Sequence, residues 1–129
     1  MNQDQEKDKI IDDFNSTALT LAQSIAIVCP NSIIGRNISV INIALNNKIN
    51  KNKFIDIFTT KVLIYKKEIM SGDENYFLNK SYDDTGVETS NIFEFKDIWT
   101  KLNDNNKKTI IQYMQILCLL SERYLSFYI

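Results

Sequence analysis

The sequence predicts an all-α fold: a single compact bundle of about five helices, residues 1–129 forming one domain, with one long acidic and aromatic loop. Three observations carry that expectation. Apolar residues recur at steps of three and four through most of the chain, the helical period. The single proline and three glycines fall between those stripes or near their ends. No pair of alternating segments is joined by an Asn-Gly or Asp-Gly turn, the strongest short-range signal of a hairpin.

The first stripe is Ile10, Phe14, Ala18, Leu21, Ile25 and Val28, widened by Ile11, Leu19, Ala22 and Ala26. It predicts a helix from about Asp4 to Cys29, with acids near its positive end. Pro30 cannot continue that helix and disfavours the helical conformation at Cys29, so the helix should stop there. Asn31 or Ser32 can cap the next segment. Ile33, Ile34, Ile38, Ile41, Ala44 and Leu45 predict a second helix to about Asn47, with room for a break near Gly35. Its β-branched content makes it the most strand-like stretch of the chain. The Asn- and Lys-rich residues 46–52 form a polar connection.

Phe54, Phe58, Val62, Tyr65 and Ile69 predict a third, continuous helix, with Asp56 in its first turn and Gly72 as a left-handed cap. Residues 73–91 lack a sustained period and read as an exposed loop after at most one helical turn. Asn91 and Glu94 have the spacing of a capping box ahead of a short helix bearing Phe95, Ile98, Trp99 and Leu102. Asn103-Asp104 breaks that helix, and Asp104 is placed to cap the last one. That helix carries Ile110, Ile111, Tyr113, Met114, Leu117, Leu120, Tyr124, Leu125 and Tyr128, an apolar arc wide enough to be central or to bury a second face against a partner.

Composition excludes several function classes. Hydrophobic residues make up 44% and charged residues 24%, ordinary for a folded domain. The net charge of −1 gives no general attraction to nucleic acid or anionic membrane. No run is long and apolar enough to span a bilayer, and the charged start does not read as a secretory signal, so an intracellular, cytoplasmic or virion location is expected. Cys29 and Cys118 are therefore expected to be reduced core residues rather than a bridge. There is no histidine, which removes Ser-His and Cys-His nucleophile pairs and the usual neutral-pH base. Two cysteines cannot build a structural zinc site, and the isolated Gly35, Gly72 and Gly86 make no phosphate loop. The expectation is a non-enzymatic chain needing no cofactor and no metal.

Candidate binding residues remain. Tyr76, Phe77 and Tyr82 sit among Asp73, Glu74, Asp83 and Asp84, where aromatics beside acids could form a docking patch or simply cover one end of the bundle. The acids lack the spacing of a calcium loop and read as solvated. Trp99, Tyr124 and Tyr128 are further candidate partner contacts, with core packing as the plainer role for Trp99 and Tyr124. Lys53, Lys61, Lys66 and Lys67 are candidate phosphate contacts in an alternative reading as a nucleic-acid accessory factor. Only two arginines argues against base reading, so nucleic acid is the lesser expectation and a protein partner, or a second copy, the greater.

The chain holds 20 Ile, 15 Asn and 13 Lys, residues with AT-rich codons. Two stretches resemble known proteins: Phe54-Ile55-Asp56-Ile57-Phe58 through Tyr65-Lys66-Lys67 to Leu78, and Phe95-Lys96-Asp97-Ile98-Trp99, Leu102 and Ile111-Gln112-Tyr113-Met114-Gln115-Ile116-Leu117. They are similar to small helical proteins of unknown function from mimivirus-like and algal giant DNA viruses, in which a short Ile-Trp helix precedes a long apolar one. The resemblance implies an all-α fold and an infected cell or virion, and it implies no site residues.

Overall fold

A computed structural model describes residues 2–72 and 97–129. Helix α1 spans Gln3–Val28, α2 Ile33–Arg36, α3 Ile38–Leu45, α4 Lys53–Lys61, α5 Lys66–Ser71 and α6 Asp104–Leu125. Short 3-10 turns cover Leu63–Tyr65 and Ser126–Tyr128, and residues 97–101 are helical. The described residues contain no strand, so the all-α expectation holds. The candidate loop lies outside the described residues.

Local chemistry explains most boundaries. Asn2 caps α1: its Oδ1 accepts from the Gln5 amide at 2.8 Å while Gln5 Oε1 accepts from the Asn2 amide. The sequence reading missed this reciprocal cap. Cys29 closes α1 ahead of Pro30, as expected. Ser32 caps α2, accepting from the Gly35 amide and donating to the Cys29 carbonyl. Gly72 ends α5 with φ 70°, the left-handed conformation foreseen for it.

The second segment breaks at Asn37, near Gly35 as expected; Asn37 leaves helical geometry and its side chain donates to the Ile33 carbonyl. Two expectations need correction. The third stripe is not one helix, because α4 ends at Lys61 and the chain tightens into a 3-10 turn before α5. Thr59 and Thr60 donate back to the carbonyls of Ile55 and Asp56, and β-branched Val62 follows, a run of weak helix propensity. The cap of α6 is Asn103, whose Oδ1 accepts from the Asn106 amide at 2.8 Å; Asp104 is the first helical residue.

Helices α1 and α6, about 39 and 33 Å long at 1.5 Å per residue, pack along one another. Helices α2 and α3 lie on α1, α5 lies on α6, and α4 touches both long helices. The core joins Ile10, Ile11 and Phe14 of α1 to Ile55 and Phe58 of α4, Ile69 of α5, and Leu117, Cys118 and Tyr124 of α6. Phe14 and Phe58 meet edge to face, ring centroids 5.4 Å apart. Asn15, also buried, donates to the Lys51 carbonyl at 2.8 Å and ties α1 to the segment that leads into α4.

Candidate functional site

The candidate contact residues separate by burial. Trp99 is 1% exposed and Tyr124 3%, so both rings take the core role the sequence favoured for them and neither is presented to a partner. The reason is local: Trp99 shares its turn with buried Leu102, and Tyr124 lies two turns beyond Leu117 on the core face of α6. Tyr128 is 59% exposed and keeps its candidacy. Tyr76, Phe77, Tyr82 and the acids at 73, 74, 83 and 84 lie outside the described residues.

Tyr124 and Tyr128 do meet, in a polar corner that sequence reasoning did not assemble. The Tyr124 hydroxyl donates to Asp56 Oδ1 at 2.6 Å, from the last turn of α6 to the first turn of α4. The two tyrosine hydroxyls are 3.2 Å apart. Lys7 of α1 places its ammonium 4.3 Å from the centre of the Tyr128 ring, a cation–π distance. Burial, and then the bond to Asp56, push the Tyr124 phenol well above its ordinary range. Lys7, and then the Tyr124 hydroxyl, draw the Tyr128 phenol below its ordinary value. The corner clamps the C-terminal turn to α1 and α4. The sequence marks Asp56 only by its place in a first turn.

The candidate lysines fall on two helices, α4 and α5. Lys66 pairs with Glu122 of α6. Lys53 and Lys61 are exposed and stand eight positions apart on α4, about 80° around a regular helix. Lys67 is exposed on α5. Lys51, which lies outside the candidate set, bridges Asp8 at 2.6 Å and Asp12 at 3.2 Å.

Apolar side chains reach the surface on each of helices α1 to α6, from Ile27 of α1 to Leu119 of α6. Val40 and Ile43, one turn apart on α3, are 64% and 72% exposed. Ile116 and Leu119 are exposed on α6, on the side away from its buried residues Leu117 and Ser121. Helix α3 carries no charged residue.

Both cysteines are free. Cys118 is fully buried, and burial first of all pushes its thiol up to about 11. Cys29 is only half-buried, which corrects the expectation that it belongs to the core; it follows the last residue of α1 and does not reach the cluster between α1, α4 and α6. Among the described residues no group of three or more His, Cys, Asp or Glu side chains is placed to hold a metal ion. No described helix is long and apolar enough to cross a membrane.

Fold and surface thus define an all-α chain with apolar positions exposed on several helices, Val40 and Ile43 of α3 among them. Its sequence is similar to an uncharacterized protein of Acanthamoeba polyphaga mimivirus, 33% identical over 97 residues, covering 69% of this chain and 54% of the relative. The chain spans about half the length of the curated relative it matches. The giant-virus resemblance read from the sequence therefore holds. No family model matches the chain, and no solved structure does.

Proposed function

We propose that this chain is a non-enzymatic helical module that docks through apolar helix faces, with a second copy or another protein as its partner. The observation that carries the reading is the exposed pair Val40 and Ile43 on an uncharged helix. Two β-branched side chains a turn apart, without a charge on the helix to keep the face solvated, are the kind of surface that association removes from water. The absence of histidine supports the non-enzymatic part. Pairing of Lys66 with Glu122 leaves the nucleic-acid alternative with less support than the sequence suggested.

Light scattering across a concentration series tests the reading, with V40D and I43D alongside. The expected result is an apparent mass that rises with concentration in the parent chain and stays monomeric in the variants. A parent chain that remains a strict monomer and retains no partner in a pulldown would defeat it.

A further inference from the structure

A recess of about 430 Å3 lies where α1 ends, within the size range of small-molecule sites. The turn at Pro30 forms one side of it, and the helical residues 97–101 form another. The recess depends on Gly35. A Cβ there would stand 2.5 Å from the carbonyl oxygens of both Cys29 and Pro30, so only glycine lets α2 sit this close to the turn. Val28, Pro30 and Ile98 supply apolar lining. Three charged side chains join them: Arg36, Lys101 and Asp97. Asp97 neutralises Lys101 at 2.8 Å. The Arg36 guanidinium makes no ion pair or side-chain hydrogen bond among the described residues, so the recess carries one uncompensated positive charge.

We propose that this recess binds a small molecule bearing an oxyanion, carboxylate or phosphate, on a short apolar body. Arg36 grips the oxyanion through its planar fork of N–H donors, which matches two oxygens at once. The apolar body lies against Val28, Pro30 and Ile98. These residues are separate from the exposed pair on α3, so the proposal stands or falls independently of the docking reading.

Half-buried Cys29 on the recess wall is a built-in reporter. The full chain is titrated with hexanoate, hexyl phosphate and neutral hexanol, and the alkylation of Cys29 by iodoacetamide is followed by peptide mass spectrometry. Both anions are expected to slow alkylation saturably, about tenfold at ten times Kd by mass action, with hexanol inert. The stronger of the two anions identifies the headgroup. R36Q is expected to raise Kd about tenfold or more, with R36K between it and the parent because it keeps the charge and loses the fork. Arg36 is exposed, so circular dichroism of R36Q should match the parent. Slowing that hexanol reproduces, slowing that R36Q leaves unchanged, or no slowing by either anion overturns the proposal.

Discussion

The Tyr124 hydroxyl reaches Asp56 across 2.6 Å and so fastens the end of α6 to the beginning of α4. A hydrogen bond to a carboxylate, made by a buried phenol, contributes more than a neutral surface contact. Y124F should cost about 1–2 kcal/mol and D56N less, because the amide keeps an acceptor. Chemical denaturation with unchanged m-values checks both, and equal stability of Y124F and the parent would show that the bond contributes nothing.

Alkaline pH should destabilise the fold in two stages. Cys118 is held near 11, above its ordinary 9, so the folded chain retains a proton that the unfolded chain loses. The stabilisation is complete below pH 9 and disappears between 9 and about 11. Tyr124 acts in the same direction from its ordinary value of 10 upward. Tyr128, drawn downward by Lys7, opposes them weakly because it is exposed. Melting temperature should be flat to pH 8.5, roughly, then fall. C118A should delay the onset by about one pH unit, and an unaltered profile would contradict this account.

Ile55 is fully buried between α1 and α6, while Ile57, two residues on, is half-exposed. I55A should cost about 3 kcal/mol through lost burial and the cavity left behind. I57A should stay within about 0.5 kcal/mol. Comparable losses at both positions would mean that α4 presents a different face to the core.

The two described glycines should respond differently to a methyl group. G72A forces a side chain into left-handed backbone at φ 70°, a loss of about 1–2 kcal/mol, and G72N should recover part of it. G35A has no such backbone problem, yet its Cβ meets two carbonyl oxygens at 2.5 Å. It should cost more than G72A, since backbone must move. Calorimetry of the three variants ranks them, and a harmless G35A would refute the close approach at Pro30.

Lys66 and Glu122 form an ion pair with each side chain about 40% exposed. Screening by solvent limits such a pair, so K66M should cost under about 1 kcal/mol. A larger loss would show that the pair also orders the 3-10 turn before α5.

Several elements were legible because their causes are local. Pro30 ends α1 by its own covalent ring, Gly72 caps α5 by tolerating positive φ, and the spacing of Ile10 and Phe14, and of Leu117 and Tyr124, repeats the helical period. The break after Lys61 was not legible, since the stripe of Phe58, Val62, Tyr65 and Ile69 continues across it unchanged. Back-bonding by Thr59 and Thr60 was the available signal. Asn103 outcompeted Asp104 as cap by one residue, a difference that periodicity does not resolve.

From sequence alone came the helical class, the missing histidine chemistry and the giant-virus resemblance, because each depends on residue type and near-neighbour spacing. Tertiary structure alone decided that Tyr128 and Val40 are outside and that Lys7 and Asp56 converge on one corner. It likewise brought Arg36 and Lys101 into the lining of a single recess. Such meetings join residues far apart along the chain, and the angle at which packed helices come to rest decides them, a quantity that no local pattern encodes.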